Sequence, residues 1–486
     1  MAEFFSKKNT KIIAFIIMIA TCIPVAIHWQ DSDMNWLIAT GRYIVNNGIP
    51  YKNPFVFLDG FDIVVQQWGY ATIVALIYDN IGSIGMILFL GVLEFINAWL
   101  IYKLVNRHTD NSVIAVLAAV FGICVYTYNN LRPELITSVL IFAELNCLDL
   151  FLKTGRRKWL IGLPVTMILE ANLHIAMWPL HFVVLLPYCV PVNVKHIINK
   201  SFGKKQILPV FAASIASFIT TFINPYGIDG VTYVFKSYNT GLSKLNIAEL
   251  RPLSADSIYF VYWMIILVIM CYLAYRKKLT SVALFMTVGF MFVSISHLRN
   301  YAFLIISVAY LFTCLDEKCF DIFKRFVPNV NIIILALCYI CFLVQFGTAI
   351  ATRVSSSNYD NIISYLDEHA DKETAKIFTS FSSGATLEFN GYKIFTDARP
   401  ELYHESLNNK ASIMWELEYA NLDKDYDSTQ YIDTVIEPFL DKYDFDYIVV
   451  LTNNKTLLSF SVYLDLTDEY TRVATDKNVV LYEKVR

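Results

Sequence analysis

The sequence predicts a membrane protein that is all-α in its spanning part, with about eleven transmembrane helices and a C-terminal extracytoplasmic α/β domain. Hydrophobic residues make up 56% of the chain, and the mean hydropathy is +0.48. Several apolar runs with few or no charges reach the length of about 17 residues that a helix needs to cross a bilayer. The balance of charge also changes near residue 355. We therefore predict a polytopic domain over residues 1–354 and an acidic domain over residues 355–486.

The apolar runs locate the predicted spans. The first run has no small-residue cleavage site and is longer than the core of a signal peptide, so we interpret it as a retained span. The stretch 159–191 fits either one long tilted helix or two spans with a break at 170–174. The predicted spans are 11–29, 82–102, 112–128, 134–152, 159–171, 174–191, 207–223, 257–275, 279–296, 300–314 and 329–350.

The distribution of basic residues decides between these alternatives and predicts the orientation. With eleven spans, 19 Lys and Arg residues fall in loops on one side and seven fall on the other. The positive-inside rule then places the N-terminus in the cytoplasm and the C-terminal domain outside, in a multi-pass protein of the plasma membrane. Joining 159–191 into one span would move some basic clusters to the wrong side, so we keep the break at 170–174.

Charge and cysteine usage exclude several classes of protein. From residue 355 onward the chain has 24 Asp and Glu but only 12 Lys and Arg, and we find no basic footprint for a nucleic acid partner. The nine cysteines are scattered, mostly inside apolar runs, with no spacing typical of a zinc site. The C-terminal domain has no cysteine, which excludes a disulfide framework there.

Further helices and strands are predicted outside the spans. In the first external loop, apolar residues at helical spacing predict an interfacial amphipathic helix over 36–45, and 66–79 is a second amphipathic or re-entrant stretch. In the C-terminal part, helical and extended patterns alternate, which indicates a small α/β domain. Its predicted helices are 358–369 and 429–442, and its predicted strands are 376–381, 392–396, 447–451 and 479–483.

Ionisable residues collect at the external ends of the predicted spans and indicate where chemistry would take place. In a compact bundle these turns would converge into one cavity at the external lipid boundary, which suits a substrate with a lipid tail and a charged head. Arginines bind phosphate through planar bidentate hydrogen bonds, and a carboxylate acts as a general base or holds a divalent metal. The candidate catalytic residues are Asp31 and Asp33, and the candidate substrate-binding residues are Arg132, Glu134, Glu170, His174, Glu249, Arg251, His297 and Arg299.

Several short motifs resemble a known family. An Asp-x-Asp pair at 31–33 precedes Gly-Ile-Pro-Tyr-Lys-Asn-Pro-Phe at 48–55. Leu-Arg-Pro-Glu follows at 131–134, then Ala-Asn-Leu-His at 171–174, then Gly-x-x-x-x-Phe-Asn-Gly-Tyr-Lys-Ile-Phe-Thr-Asp-Ala-Arg-Pro-Glu-Leu-Tyr at 384–403. Over nearly its whole length the chain resembles the bacterial GT-C-fold membrane proteins, which are glycosyltransferases that use polyprenyl-phosphate sugars.

The resemblance implies a reaction and its partners. The substrates would be a polyprenyl-phosphate-linked sugar in the membrane lipid and an external acceptor on the cell envelope. It implies that an acidic residue of the first external loop is catalytic or binds a metal, which corresponds to Asp31 or Asp33, and it leaves the use of a divalent metal open. Relatives usually have His or Glu before the tryptophan of the second amphipathic stretch, whereas this chain has Gln66-Gln67-Trp68.

The same residues can also be explained by structural roles, without any function in catalysis or binding. The two acidic residues of the first loop also fit residues that end a span, and Arg132 fits a snorkelling anchor. Glu144, inside an apolar run, fits an interhelical hydrogen bond better than a proton pathway. Asp397 and Arg399 are typical of a structural ion pair.

Two alternatives from other classes remain for the whole chain. A transporter or lipid flippase would carry ionisable residues near the bilayer midplane and internal repeats, and the sequence shows no repeat. A non-catalytic envelope assembly protein on a decayed transferase core stays open because no titratable group precedes Trp68.

Overall fold

The structure is a computed structural model, and the chain forms two compact units. The first unit comprises Met1–Gln30, Asn80–Val231 and Asn246–Arg353, and the second comprises Asp31–Asp79, Thr232–Leu245 and Val354–Arg486. The second unit therefore contains both the first loop and the C-terminal part of the chain. The residues that the structure describes are 7–27, 29, 32–126, 132–189, 204–238, 251–323, 329–351, 359–380, 383–404, 413, 416–417, 428–452 and 457–485.

Helices occupy most of the described chain before residue 352. Their ends follow local chemistry: Pro133 opens α5, where its missing N–H is not needed, and Gly155 ends that helix at a φ of 69°. The Ser257 hydroxyl caps α10 by accepting from the Phe260 amide. The helices are α1 (Lys7–Ile27), α2 (Ser32–Asn47), α3 (Trp68–Asn106), α4 (Ser112–Tyr126), α5 (Pro133–Thr154), α6 (Gly162–Leu173), α7 (Trp178–Cys189), α8 (Lys204–Thr220), α9 (Ile228–Tyr238), α10 (Ile258–Tyr275), α11 (Ser281–Ser296), α12 (Leu304–Phe312) and α13 (Val330–Ala351).

Helix α3 is broken at Gly82, whose φ of 66° and ψ of −154° lie outside the helical region. Only glycine adopts this conformation without strain, so the residue acts as a hinge point between two helical segments. The sequence predicted the same division, with a stretch ending at Asp79 and a span beginning at 82. The segment before the break belongs to the second unit, and the segment after it belongs to the first.

The apolar helices support a multi-pass membrane protein, but the predicted number of eleven spans is not confirmed. Within the described residues, four helices are long and apolar enough to cross a bilayer: Trp68–Asn106, Pro133–Thr154, Ile258–Tyr275 and Val330–Gly347. Shorter apolar helices of 10–17 residues lie at six of the other predicted spans: Asn9–Pro24, Ser112–Val125, Ile175–Cys189, Gln206–Thr220, Ser281–Ser296 and Leu298–Phe312.

The predicted break at 170–174 is confirmed. Helix α6 ends at Leu173, and His174 leaves the helical region with a φ of −161° and a ψ of 66°. A 3₁₀ turn over Ile175–Met177 then leads into α7. The turn is packed firmly, because the indole N–H of Trp178 donates to the carbonyl of Val231 over 3.0 Å.

The second unit contains a four-stranded mixed sheet with the strand order β1-β2-β4-β3. Strand β1 pairs with β2 in parallel, while β4 pairs with β2 and β3 antiparallel. The strands are β1 (Ile377–Thr379), β2 (Tyr447–Leu451), β3 (Tyr470–Asp476) and β4 (Val479–Lys484), and the helices are α14 (Asp360–His369), α15 (Gly384–Phe389), α16 (Ser428–Tyr431), α17 (Glu437–Tyr443) and α18 (Leu458–Leu466), with a π-helical turn over Ile432–Ile436. This confirms the predicted α/β character of the C-terminal part.

One predicted strand is wrong, and three elements were not predicted. Residues 392–396 form no strand, because Gly391 starts them from a positive φ and only Ile394 makes isolated bridges, to Ile377 and Val56. Strand β3 was not predicted because only its first and last residues are buried, and its sequence lacks an alternation of apolar and polar residues. The sequence also gave no signal for α15 and α18.

Aromatic side chains build the core of the second unit and include a residue from the first loop. Phe378 packs edge-on against Phe445 and Phe460 at 5.5 and 5.4 Å between ring centroids. Phe57 of the first loop contacts Phe445 at 6.2 Å, and the amide of Ile394 donates to the carbonyl of Phe55 over 3.0 Å. The first loop is thus part of this hydrophobic core, which gives it a fixed place in the second unit.

Candidate functional site

In the first unit, two of the predicted site residues form an ion pair at the start of α5. Glu134 lies in the first turn of that helix, where the helix dipole favours a carboxylate. Its Oε1 accepts hydrogen bonds from Nε and Nη2 of Arg299, at 3.1 and 3.0 Å. The Glu134 side chain is 2% exposed and the Arg299 side chain 43% exposed. A buried carboxylate therefore orients the guanidinium group of a side chain that is nearly half exposed.

Three other candidates, Arg132, Arg251 and His297, lie near this ion pair in the chain or in space. Arg132 caps α5 and acts electrostatically on the Glu134 carboxylate. The carbonyl of Arg251 accepts from the amide of Leu298 over 2.9 Å, so the backbone brings Arg251 to the segment that carries Arg299. His297 precedes this segment, and its Nδ1 lies 3.2 Å from the hydroxyl of its neighbour, Ser296. The predicted site residues Asp31 and Glu249 lie outside the described residues.

Glu170 and His174 meet at the break between α6 and α7. The Thr137 hydroxyl, one helical turn after Glu134, donates to Oε1 of Glu170 over 2.7 Å and lies 2.8 Å from Nδ1 of His174. All of these side chains are buried. Since buried polar groups need partners, the three side chains hold one another in place.

A second histidine extends this network along α5. His181 of α7 lies between two carboxylates, with Nδ1 2.5 Å from Glu144 and Nε2 3.5 Å from Glu170. The three side chains are completely buried. Glu144 thus has the interhelical hydrogen bond that the sequence favoured, and His181 and Thr137 are network members that the sequence analysis missed. A signal for His181 existed, because a carboxylate inside an apolar run demands a partner on a neighbouring helix.

In the second unit, Asp33 lies in the first turn of α2 and is half-buried. Its Oδ1 accepts a hydrogen bond from the indole N–H of Trp36 over 3.3 Å. The ring of Trp36 in turn lies 5.1 Å from the guanidinium carbon of Arg399, and the ring of Phe55 lies 5.0 Å from the same carbon. Arg399 therefore contacts the helix that carries the predicted catalytic carboxylate.

Arg399 is held by two buried carboxylates. Its Nε and Nη2 donate to Asp397, and Nη2 also donates to both oxygens of Glu388 at 3.1 Å. The ion pair of Asp397 and Arg399 confirms the structural interpretation from the sequence, and Glu388 is the member that it missed.

The described residues contain no group of three or more His, Cys, Asp or Glu side chains that could hold a metal ion. Around Asp33, the described residues include the indole N–H of Trp36, which donates to its carboxylate.

No family model matches the sequence. No curated protein matches it either. Solved structures do match. The oligosaccharyltransferase of Archaeoglobus fulgidus, tethered with an acceptor peptide containing the NVT sequon, superimposes with a TM-score of 0.64 and 12% identity over 100% of this chain and 75% of that chain.

A second matching protein is ArnT from Cupriavidus metallidurans. Its apo form has a TM-score of 0.58 and 12% identity over 98% of this chain and 97% of that chain. The form bound to undecaprenyl phosphate has a TM-score of 0.51 and 11% identity over the same shares of the two chains. These likenesses confirm the GT-C fold that the resemblance implied.

Proposed function

We propose that this protein is a membrane glycosyltransferase that transfers a sugar from a polyprenyl-phosphate donor to an external acceptor of the cell envelope. The observation that carries the proposal is the fold, which matches an oligosaccharyltransferase over the whole of this chain and ArnT over nearly the whole of both chains. One of these structures holds undecaprenyl phosphate and another an acceptor peptide, which are the two kinds of substrate that the proposal requires.

Binding of the donor phosphate is assigned to Arg299, with Arg132 beside it. Glu134 orients the guanidinium group of Arg299 through two of its N–H groups, which lowers the entropy lost when the arginine binds a ligand. A planar guanidinium group fits phosphate oxygens bidentately. The buried contacts of Glu170 with Thr137 and His174 keep the adjacent turn rigid.

Activation of the acceptor is assigned to Asp33, with Asp31 as its neighbour in the sequence. The acceptor oxygen forms a bond to C1 of the sugar while the bond from C1 to the phosphate oxygen breaks. The acceptor proton goes to the carboxylate, and the polyprenyl phosphate leaves with the electron pair.

The orientation belongs to the same proposal. The first loop and the C-terminal part form one unit, and the acceptor is external, so we place the second unit on the outer face of the plasma membrane and the N-terminus in the cytoplasm. Cysteine substitution and labelling with an impermeant thiol reagent would test this: Ser459→Cys, at an exposed position of α18, should label in intact cells.

Sugar transfer in vesicles tests the reaction itself. The full protein is reconstituted with a panel of radiolabelled polyprenyl-phosphate sugars and a cell-envelope acceptor fraction. Wild type should transfer one of the sugars, and Asp33→Asn should lower turnover by about 100-fold or more, because the proton acceptor is lost. Asp59→Asn, an exposed carboxylate in the same loop, is the matched control and should retain activity. Full activity in a double Asp31→Asn/Asp33→Asn variant would contradict the mechanism.

A proton-coupled transporter is the second candidate, and the buried contact of His181 with Glu144 and Glu170 favours it. Ionisable side chains inside an apolar bundle mark ion pathways in many membrane proteins. Vesicles with an internal pH indicator separate the two candidates. Proton flux that depends on His181, in a protein that transfers no sugar, would favour transport.

A further inference from the structure

The C-terminal part of the chain contributes directly to the surroundings of Asp33. Arg399 spans two successive turns of α2, because its guanidinium group lies over the ring of Trp36 and its Nη1 donates to the hydroxyl of Thr40 over 3.5 Å. Trp36 is 8% exposed and Thr40 is completely buried. The arginine therefore fixes both the rotation and the position of this helix along its axis.

The contact passes from Arg399 to Asp33 through a single side chain. The indole of Trp36 presents its face to the guanidinium group and its N–H to Oδ1 of Asp33. A tilt of the ring would break the hydrogen bond, because the N–H donor lies in the plane of the ring. The stacking between Trp36 and Arg399 is consequently coupled to the orientation of the Asp33 carboxylate through this hydrogen bond.

Arg399 itself has little freedom to move. Asp397 and Glu388 are completely buried, and both accept hydrogen bonds from its guanidinium group. The planar fork of arginine keeps these bonds only in one orientation of the group.

Further contacts join α2 to α15 in the same unit. The amide of Asn35 donates to the hydroxyl of Thr386 over 3.3 Å, and Arg42 Nη1 donates to the carbonyl of Phe389 over 3.1 Å. These contacts lie on either side of Trp36 along α2, so the helix is anchored on both sides of the tryptophan.

We propose that Arg399, acting through Trp36, is a positioning residue that sets the orientation of the Asp33 carboxylate for catalysis. The proposal rests on the proposed function, in which Asp33 accepts the proton of the acceptor hydroxyl. It assigns to the C-terminal part of the chain a role in organising the active carboxylate, separate from any contact with the acceptor.

Two substitutions test the two parts of this contact separately: the hydrogen bond from Trp36 to Asp33, and the stacking of Arg399 on Trp36. Trp36→Phe keeps an aromatic face under Arg399 but removes the N–H donor to Asp33. Arg399→Lys keeps a positive charge beside Asp397 and Glu388 but removes the planar group that stacks on Trp36. Both should lower kcat by about tenfold, with the KM for the lipid-linked sugar unchanged, because the geometry of the base is lost while donor binding is kept.

Trp159→Phe is the matched control, because Trp159 lies in the first unit and its indole nitrogen is buried without a hydrogen-bond partner in the described part of the chain. Its kcat should stay within about twofold of wild type. Unchanged kcat in Trp36→Phe, while Asp33→Asn is inactive, would overturn the positioning role and leave the proposed function standing.

A second measurement needs no substrate. In protein labelled with ¹⁵N-tryptophan, the indole resonance of Trp36 is assigned as the one missing from Trp36→Phe. Asp33→Asn and Arg399→Lys should both shift this resonance, and Trp159→Phe should not. If Arg399→Lys does not change the chemical shift of the Trp36 indole, the inference is wrong. Failure of the proposed function would instead show as no sugar transfer by wild type, and the resonance would still decide the contact.

Discussion

The two units contain contrasting arginine clusters. In the first unit, Arg299 donates to the buried carboxylate of Glu134, and its side chain is 43% exposed. In the second unit, Arg399 binds two buried carboxylates and its side chain is 8% exposed. Burial would lower the pKa of Arg399, but the charges of Asp397 and Glu388 outweigh it and raise that pKa. Both arginines are held by acids, and they differ in how much of the cation a ligand can reach.

This difference separates binding from positioning. A cation enclosed by carboxylates and aromatic rings has its donors committed to the protein, so its removal should affect folding and geometry first. A cation that a buried acid orients, on a side chain that is nearly half exposed, is still accessible to a ligand, so its removal should affect ligand binding first. We therefore expect removal of Arg399 to reduce stability more than ligand binding, and removal of Arg299 to reduce ligand binding more than stability.

Removing the charge of Arg399 should have the largest effect on stability. Arg399→Met leaves Asp397 and Glu388 buried beside each other without a cation, and breaking a buried pair in this way costs about 3–5 kcal/mol. We expect the free energy of unfolding of the second unit to fall by this amount. Limited proteolysis of the detergent-solubilised protein over a range of temperatures would measure the loss.

The matched control is Arg472→Met on β3, where the arginine is exposed and bonds only to a nearby threonine hydroxyl among its described hydrogen bonds. It should change stability by no more than about 0.5 kcal/mol. Equal stability of the two variants would show that the cluster around Arg399 does not hold the second unit together.

Substitution of Arg299 should weaken binding of the donor lipid more than it lowers stability. Arg299→Gln removes a charged, bidentate donor, and a hydrogen bond to a charged group contributes about 1.5–3 kcal/mol. We expect the affinity for undecaprenyl phosphate to fall about tenfold to 100-fold. The loss of stability should be smaller than for Arg399→Met, because the glutamine amide still donates to Glu134. Equilibrium binding of the labelled lipid in detergent would measure the affinity.

Arg276→Gln provides the control, because this exposed arginine ends α10 and lies in a loop on the side that the charge distribution predicts to be cytoplasmic. Its affinity for the lipid should equal that of wild type. Undecaprenol, which lacks the phosphate, should bind both variants and wild type alike. An undiminished affinity in Arg299→Gln would remove this residue from the donor site.

The contrast also explains what could be predicted from the sequence. Apolar runs and basic clusters placed the helices and the break at His174, because hydropathy and charge act over whole segments. The pairing of Glu134 with Arg299 was not predicted, since it joins residues 165 positions apart. Both were named as candidates because each is charged at the end of an apolar run.

The second unit was harder to predict. The pair of Asp397 and Arg399 could be recognised because the residues are neighbours in the sequence. Glu388 and Trp36 could not, since nothing in a single sequence shows that the first loop packs into a core more than 300 positions further along the chain. The three-residue strand β1 and the bridge at Ile394 depend on the same long-range packing, which local propensity does not encode.

The smallest expected loss of stability comes from an exposed ion pair in the second unit, which shows how little such a pair contributes when water screens it. Asp367 on α14 is 47% exposed and contacts Lys372 at 2.9 Å and the hydroxyl of Tyr392 at 2.7 Å. Hydrogen bonds from Lys372 and Tyr392 lower the pKa of this carboxyl below its ordinary value of 3.8. Its contribution to stability is therefore present above about pH 4 and is lost as the pH falls through the lowered pKa.

Solvent screening reduces that contribution to about 0.2–1 kcal/mol. Asp367→Asn should lower the free energy of unfolding of the second unit by this amount at pH 7, and the difference from wild type should shrink towards zero as the pH falls below 4, because the wild-type carboxyl then becomes neutral too. Glu368→Gln, at an exposed position on the same helix, is the matched control and should unfold with the same free energy as wild type at pH 7. A loss at pH 7 as large as that of Arg399→Met would mean that exposure does not determine the strength of these ion pairs, and the distinction between the two arginines would lose its physical basis.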